Sequence, residues 1–480
     1  MTNALRAPVQ EEWPPAVKTF SLSSKLVYRD EDRRFDPTTY SQDYYAALQM
    51  IEQCRFPKTE LRTLVGRVYH PTQNQARSNF KRIWVKRGEG VPFLTGRQLF
   101  FFRPDKEKFL SPKMEKFHEL IVPKGTILLS RSGTTGYPVL VGGSLSGFAV
   151  TDDAIRIFRG QEPIGFVYAF LASRVGRALL TKNEYGSTVS HLEAKHVSAL
   201  PVPLVPSTAR ESIHQKVVRA YALRDDANAA LDQADAELHI TIGVSRFDEN
   251  DIHYLGQGSD ARVFTTPSSD LNERLDATQH VPVVRSVLWK IERGRFRLAR
   301  LHEMVSRITI PARFKRVYVE ADRGVPYILP SHLPTIRFYG LKRLAEGQAK
   351  SSPEYLLREG ELMLTVDGTI GRLHPVTKRM AGWFGSNNIA RLWDTSTDLG
   401  FLYAYLSTPY GQNQLTKDAY GGVVDHITES HIKSLHVPAV PRGLQIRIGE
   451  LVREAFDLKD AANELEDEAV SELEALIGAR

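Results

Sequence analysis

The chain has 480 residues, enough for two or three domains that each bury a core. Its single cysteine, Cys54, excludes a disulfide framework and a cysteine-rich zinc site and fits a reducing cytoplasm. No apolar run approaches the roughly 18 residues of a membrane span, and the first residues lack the apolar core of an export signal.

The net charge is +7 and the pI about 9.2. The charge is unevenly spread. Residues 207–243 carry 4 basic and 6 acidic side chains and residues 442–480 carry 5 and 10, which leaves +14 on the remainder. A basic surplus on the globular parts suits a polyanion such as DNA or RNA, although many basic soluble proteins bind neither.

In chain order, a leading segment holds Arg34-Phe35-Asp36. A strand-rich region follows, with β-type runs at Arg82–Val85 and Thr126–Ser130, punctuated by glycine and proline. One helix is predicted over Gly165–Lys182. "VPLVP" (Val202–Pro206) then makes a stiff extended exit, because proline at that spacing fits neither a helix nor a central strand. A long helix comes next. Its apolar positions Ile213, Val217, Ala220, Leu223, Ala227, Ala230, Ala234, Leu238 and Thr241 step by threes and fours, a seam of heptad type.

The same order then repeats. Residues 125–206 overlay residues 360–441 at an offset of 235 with 27 identities in 82 pairs. "GTTG" (Gly133–Gly136) meets "GTIG" (Gly368–Gly371), and "GFVYAFL" (Gly165–Leu171) meets "GFLYAYL" (Gly400–Leu406). Phe80–Leu94 meets Phe314–Ile328 at an offset of 234, and Arg274-Leu275-Asp276 answers the leading element. A period this long marks a duplicated domain and connector, not a solenoid. The second seam runs Ile448, Val452, Ala455, Leu458, Ala462, Leu465, Ala469, Leu473 and Leu476. The first seam has Ala230 where the second has Leu465, so the two are complementary in size. The helices are therefore expected to pair, antiparallel, and to hold the two units apart like a ruler. The alternative is that each packs only on its own domain. The acidic outer faces suit either a protein partner or plain solvation. The fold class expected is mixed α/β (α+β), with two duplicated globular domains joined by two long coiled-coil helices. The boundaries are 1–206, 207–243, 244–441 and 442–480.

Catalytic signatures are missing. There is no P-loop, no G-x-G-x-x-G opening a helix and no H-E-x-x-H. A DNA amino-methyltransferase needs an Asn/Asp-Pro-Pro-aromatic element, and the one Pro-Pro, Pro14-Pro15, follows Trp13. Asp105 and Glu107 in "RPDKEK" (Arg103–Lys108) are crowded into one segment, which argues against nuclease chemistry. His191/His426 and His196/His431 recur, but no carboxylate recurs beside them, so a structural role is favoured over a catalytic or metal pair. The Gly-Thr-x-Gly loops can meet a phosphate or make a tight turn, and the turn is favoured.

This ordered, duplicated set resembles the specificity subunits of Type I restriction–modification systems. The elements that carry it are "KGTILLSRSGTTG" (Lys124–Gly136) with "EGELMLTVDGTIG" (Glu359–Gly371), the two "GFxYAxL" helices, "YGSTVSHL" (Tyr185–Leu192) with "YGGVVDHI" (Tyr420–Ile427), and each proline-rich exit with its long helix. The resemblance covers nearly the whole chain. It implies two target-recognition domains that each read half of a bipartite double-stranded DNA sequence, and helical spacers between them. It further implies docked DNA methyltransferase subunits, a restriction or translocase subunit that joins them, no cofactor or metal, and no catalysis by this chain. Other readings are a recognition subunit of another phage-defence or modification enzyme, an enzyme built around His191/His426, and a nucleic-acid-binding adaptor.

Positions alike in both copies are expected to build scaffold or hold phosphates, and positions that differ within the shared frame to read bases. The phosphate candidates are Lys81, Arg82 and Lys182, with Lys315, Arg316 and Lys417. The base-reading candidates are Arg131, Ser132, Tyr137 and Ser187 in the first copy and Asp367, Arg372, Asn387 and Asn388 in the second. Gly133, Thr134, Gly136, Gly368, Thr369 and Gly371 form the loop scaffold. Val217, Leu223, Leu238, Val452, Leu458, Leu465 and Leu473 pack the spacer helices.

Overall fold

Two helices of equal length organise the chain. The computed structural model describes residues 42–71, 81–131, 136–181, 192–252, 264–268, 271, 275, 277–320, 323–421 and 424–479. Helix α1 is Ile164–Ala172, α2 is Ser207–Ile242, α3 is Leu399–Ser407 and α4 is Arg442–Ile477. Both α2 and α4 have 36 residues, about 54 Å at 1.5 Å per residue. Each starts directly after a proline, Pro206 or Pro441, and each ends on a left-handed glycine, Gly243 (φ 70°) or Gly478 (φ 83°).

They run antiparallel. Lys216 pairs with Glu472 at 2.9 Å, Arg224 with Glu466, and Arg447 with Glu237 at 2.8 Å, so numbers rise on one helix as they fall on the other. Ala220, Leu223 and Ala462 form a small cluster between them, flanked by Leu458, Ala461 and Leu465. Val217, Leu238, Val452 and Leu473 are buried, while Leu458 and Leu465 lie half-buried at its rim. The buried stripe of α4 also includes Phe456 and three polar residues, Lys459, Asn463 and Glu466, none of which belongs to the heptad seam. Their partners come from α2 (Arg224, with Asn463 and Glu466) and from the domains packed against that side (His374 with Lys459, Arg337 and Tyr168 with Glu466).

The strands repeat in order. In the first copy they are β1 Lys58–Glu60, β2 Arg67–Tyr69, β3 Trp84–Val85, β4 Val91–Leu94, β5 Phe109–Leu110, β6 Ile127–Ser130, β7 Pro138–Leu140, β8 Ala149–Val150, β9 Ala154–Phe158 and β10 Pro201–Pro203. In the second they are β11 Leu298–Arg300, β12 Val305–Thr309, β13 Tyr318–Val319, β14 Val325–Ile328, β15 Lys342–Leu344, β16 Leu362–Thr365, β17 Leu373–Pro375, β18 Phe384–Gly385, β19 Ile389–Thr395 and β20 His436–Pro438. The main sheet β2-β9-β6-β7 recurs as β12-β19-β16-β17 and the small sheet β3-β5-β4-β8 as β13-β15-β14-β18. The ribbon β1-β10 recurs as β11-β20, and the proline-rich exits are thus edge strands. Register is kept too, since Leu129 faces Ile155 where Leu364 faces Ala390.

The central strand β6 is apolar at successive positions because both its faces are covered. Ile127 and Leu129 join the helical core, whereas Leu128 joins a second cluster under the small sheet with Leu94, Val122 and Val139. In β16, Leu362 and Leu364 divide from Met363 in the same way.

Two sequence expectations are corrected. The single helix predicted over Gly165–Lys182 is two, Ile164–Ala172 and Arg174–Thr181. The Ser173 hydroxyl at the joint donates to the Phe170 carbonyl at 2.6 Å and accepts from the Gly176 N–H at 3.0 Å. Thr408 makes the first of these contacts in the second copy, with Tyr405 at 2.7 Å, and Pro409 starts the next helix there.

Nor do the helices hold the domains apart. Phe101 pairs with Thr335, with Phe102 N–H on the Pro334 carbonyl at 2.8 Å and Ile336 N–H on the Phe100 carbonyl at 2.7 Å. Phe101 and Thr335 are equivalent positions, 234 apart. A segment that pairs antiparallel with its own counterpart lies on a pseudo-two-fold axis, the same axis that relates α2 to α4. The domains therefore meet directly. Among the described residues no helix is long and apolar enough to cross a membrane.

Close to that axis Glu466 of α4 is fully buried and serves four elements at once. It accepts from Arg224 of α2, from Arg337 of the second domain at 2.7 Å and from the Tyr168 hydroxyl of α1. Burial alone would raise its carboxyl. Arg224 and then Arg337 outweigh burial and hold it at about 2, below an ordinary 4.5. Asp467 adds a second tie, accepting from Arg337 at 2.5 Å and Arg379 at 2.6 Å.

The glycines of "GFxYAxL" have a packing reason. A Cβ on Gly400 would lie 2.7 Å from the Gly449 Cα, and a Cβ on Gly165 would lie 2.8 Å from the His214 Cα. Gly449 and His214 are themselves equivalent, so each domain docks its helix on its own spacer at the same crossing. Gly400→Ala is expected to lower unfolding stability by about 1–3 kcal/mol, read by thermal or denaturant melting.

Glu466→Gln is expected to cost about 3–5 kcal/mol, because Arg224 and Arg337 lose their shared carboxylate in a buried site. The Glu466 contribution is fully present above its unfolded value of 4.5 and disappears as pH falls towards 2. Melts of the wild type and the variant should therefore differ by a constant amount at pH 5–8 and converge below pH 4. A gap that stays constant into acid contradicts the assignment.

Candidate nucleic-acid interface

The Gly-Thr-x-Gly loop of the second copy is the hairpin turn between β16 and β17. Gly368 (φ 71°) and Gly371 (φ 88°) take left-handed conformations that favour glycine. The Thr365 hydroxyl accepts from the Arg372 N–H at 2.9 Å and donates to the Thr369 carbonyl at 2.5 Å. Gly368 and Gly371 N–H groups are already bonded, to the Asp425 carbonyl at 2.9 Å and the Thr365 carbonyl at 3.1 Å. This is a structural turn with an exposed Thr369 at its tip. Gly136 (φ 76°) closes the first-copy loop. Ser132, Gly133, Thr134, Lys182, Ser187 and His191, with Arg34–Asp36, Arg274 and Asp276, lie outside the described residues.

Among the described recurring histidines, His426 and His431 hold loops and backbone. His431 closes a capping box, its N–H on the Thr428 hydroxyl at 3.4 Å and its Nδ1 accepting from the Thr428 N–H at 3.2 Å. The His196 N–H bonds the Glu193 carbonyl at 3.1 Å. His426 Nδ1 lies 2.5 Å from the Asp367 carboxylate, which ties the Tyr420–Ile427 loop to the glycine turn.

The structure separates the candidate readers. Arg131 is largely buried and paired with Glu193 at 2.6 Å and Asp153 at 3.2 Å. Asn387 is buried between Arg316, which donates to it at 2.7 Å, and the half-buried Asn388. Tyr137 lies against Tyr339 of the other domain at 4.7 Å between ring centroids, with Arg177 over its face at 3.8 Å. Arg372 reaches across to Asp105 at 2.6 Å and lies over the Phe101 ring. Both line the seam between domains, where a cleft of about 460 Å³ opens between Arg97, Asp105 and Glu107 on one side and Pro334, Thr369 and Arg372 on the other.

Among the phosphate candidates, Lys81 and Lys315 are exposed. Lys417 is partly exposed, and both oxygens of Asp418 lie 2.6 Å from its amine. Arg82 and Arg316 make the same contact in both copies, Arg82 to Asp152 and Arg316 to Asn387, which stand at equivalent positions. A shared arginine thus meets a differing partner.

Two features escaped the sequence comparison although the offset exposes both. Arg156 and Arg391 are equivalent and buried. Arg156 donates to the carbonyls of Ala154 at 2.7 Å, Val150 at 3.0 Å and Thr151 at 3.3 Å, and burial lowers it to about 10. Arg391 ties the Glu354 and Leu356 carbonyls. These arginines are scaffold. The second feature is an aromatic at Trp84 and Tyr318, discussed below.

The chain is similar to S subunits of Type I restriction–modification systems along nearly its whole length. Matching structures include the Type I restriction–modification system S subunit from M. genitalium, at 12% identity over 89% of this chain and 96% of that one, with a TM-score of 0.36. The HsdS subunit from Thermoanaerobacter tengcongensis matches at 15% identity over 88% and 97%, with a TM-score of 0.27. A chain solved for the complex assembly and conformational transition of the type I R-M system matches at 14% identity over 88% and 96%, with a TM-score of 0.26. No family model and no curated protein matches the sequence.

The Arg372–Asp105 pair is roughly a third exposed on both sides, 28% and 34%, so solvent screens it. A double-mutant cycle with Arg372→Ala and Asp105→Ala should return a coupling below about 1 kcal/mol. Arg372→Ala is then a probe of binding that leaves the fold intact.

Proposed function

We propose that this chain is a non-catalytic, sequence-specific DNA-binding subunit. It reads a bipartite double-stranded target and docks DNA methyltransferase subunits, and a restriction or translocase subunit joins the complex. The observation that carries the reading is the pair of similar but non-identical domains locked about one pseudo-two-fold axis. An antiparallel duplex offers two backbones related by a two-fold axis, so one fold used twice meets the same backbone geometry twice. The two copies share their frame and differ at the positions proposed to read bases, which matches two different half-sites.

Lys81 and Lys315 are the phosphate contacts best placed by exposure. Tyr137, Asp367, Arg372 and Asn388 are the proposed readers among the described residues, with Arg131 and Asn387 positioning the loops around them. Exposed acidic residues on α2 and α4 are the proposed docking surface for the enzyme partner, in a cytoplasmic complex.

The test is co-expression with the methyltransferase encoded beside this chain, followed by modification mapping of the host genome. A split motif with a fixed unspecified gap is expected. Exchanging residues 60–206 for those of a related chain should change one half of the motif only, and Arg372→Ala should alter preference without loss of the complex. A complex that assembles but leaves no new modification would reassign the chain to another defence or modification enzyme. No complex at all would return the adaptor reading.

A further inference from the structure

Each small sheet ends in a short strand, β3 or β13, whose outer edge pairs with no strand among the described residues. Exposed apolar residues on an edge strand are a liability that proteins usually blunt, and a short strand limits it. Both copies keep such residues at this short edge. Ile83 (45% exposed) and Trp84 (46%) correspond to Val317 (50%) and Tyr318 (48%). Large apolar residues stand at both positions in both copies although neither residue is identical between them, which points to a shared use.

The surroundings of the ring recur as well. Trp84 packs edge-on against Phe93 at 5.2 Å, and Tyr318 lies 6.4 Å from Tyr327, the equivalent of Phe93. Arg82 lies over Phe93 at 5.0 Å, and Arg316 over Tyr327 at 5.7 Å. Lys108 lies over the Trp84 ring at 5.7 Å, and its counterpart Lys342 lies over the Tyr318 ring at 4.9 Å. Exposed Lys81 and Lys315 precede the strands. Each copy therefore presents one half-exposed aromatic beside cations, on a strand edge, in an otherwise basic domain.

We propose that Trp84 and Tyr318 are sequence-independent contact residues for duplex DNA. Each ring lies against one sugar–phosphate strand while Lys81 and Lys108, or Lys315 and Lys342, meet the adjacent phosphates. The inference rests on the DNA-binding reading above and adds to it where the backbone is gripped. An aromatic kept as an aromatic in both copies carries no half-site information. Affinity, not sequence preference, is its contribution. Duplex is favoured over a single strand by polarity. A single strand passing a two-fold pair of sites meets the second with its direction reversed, whereas a duplex supplies both directions.

The experiment uses the purified full chain and a labelled random-sequence duplex, with the corresponding single strand as competitor, across a salt series. Trp84→Ala and Tyr318→Ala are each expected to weaken duplex binding by about threefold to tenfold, from loss of the ring's apolar cover against the sugars, with an unchanged slope of log affinity against log salt. Lys81→Ala with Lys315→Ala should lower that slope instead. Trp84→Leu and Tyr318→Leu keep apolar cover over Phe93 and Tyr327 and should show the same loss, which separates loss of the ring from loss of the sheet. If the wild type binds duplex and the double aromatic variant binds it equally well, this inference fails and the proposed function stands. If the wild type binds no duplex, both fail. Preference for the single strand over duplex, abolished by the double variant, would overturn duplex as the occupant.

Discussion

A single buried carboxylate holds the two halves of this chain in one geometry. Glu466 takes a guanidinium from each of two elements and a hydroxyl from a third while sitting on a fourth. A buried ion pair is weak support for stability by itself, because its desolvation offsets its attraction. Its value here is directional. An apolar contact at the same place would tolerate sliding of α2 along α4, whereas Glu466 meets Arg224 and Arg337 together at one register only. Tyr221 extends the node, accepting from the Leu140 N–H at 2.9 Å, so the first domain's main sheet is tied to the same point.

The charge partition along the sequence takes a second meaning from this arrangement. The helical segments are acidic and the domains basic, a pattern that suits a polyanion on one side and a protein partner on the other. Much of that acid is spent inside the molecule. Asp225 caps the Gly143–Leu145 turn of the first domain through two N–H groups at 2.6 and 2.8 Å, and Asp467 takes Arg337 and Arg379 of the second. Glu472 and Glu474 bond Lys216 and Arg174. These acids bind the spacers to the domains through Asp225, Asp467 and Glu474 and to each other through Glu472. What stays free on the helices for a partner is the smaller, outward-facing share.

The sequence made the fold legible where the signal was periodic or repeated. The two seams, their antiparallel pairing and the duplicated order of strands follow from spacing and from the offset of 235. What it hid were contacts made by single polar residues. Glu466 reads as an ordinary solvated charge one step past Leu465, because heptad reasoning assigns burial by apolar character. Its burial depends on Arg337, Tyr168 and Arg224, which no local pattern brings together. The helix break at Ser173 was hidden because a hydroxyl that caps a new helix looks, in sequence, like one that rides inside a continuous one. For the interface, Lys81 and Lys315 stand exposed as sequence suggests. Arg131 and Asn387 do not, since the carboxylates of Asp153 and Glu193 that enclose Arg131 and the Arg316 guanidinium that meets Asn387 are distant in the chain.

Direct contact between the domains also changes what sets the distance between them. In a ruler, lengthening both helices moves the ends apart. Here the domains touch at Phe101 and Thr335 and at Tyr137 and Tyr339, near the middle of the helix pair, and the Glu466 node lies between these contacts. One residue added to α2 rotates everything beyond it by about 100° and separates Arg224 from Glu466. Residues added near the helix ends leave the node and the domain seam in place. The spacing is therefore a property of the seam. Any exchange of one domain must carry Tyr137, Arg177 and the Phe100–Asp105 segment with it, because those residues, not helix length, fix where the second domain sits.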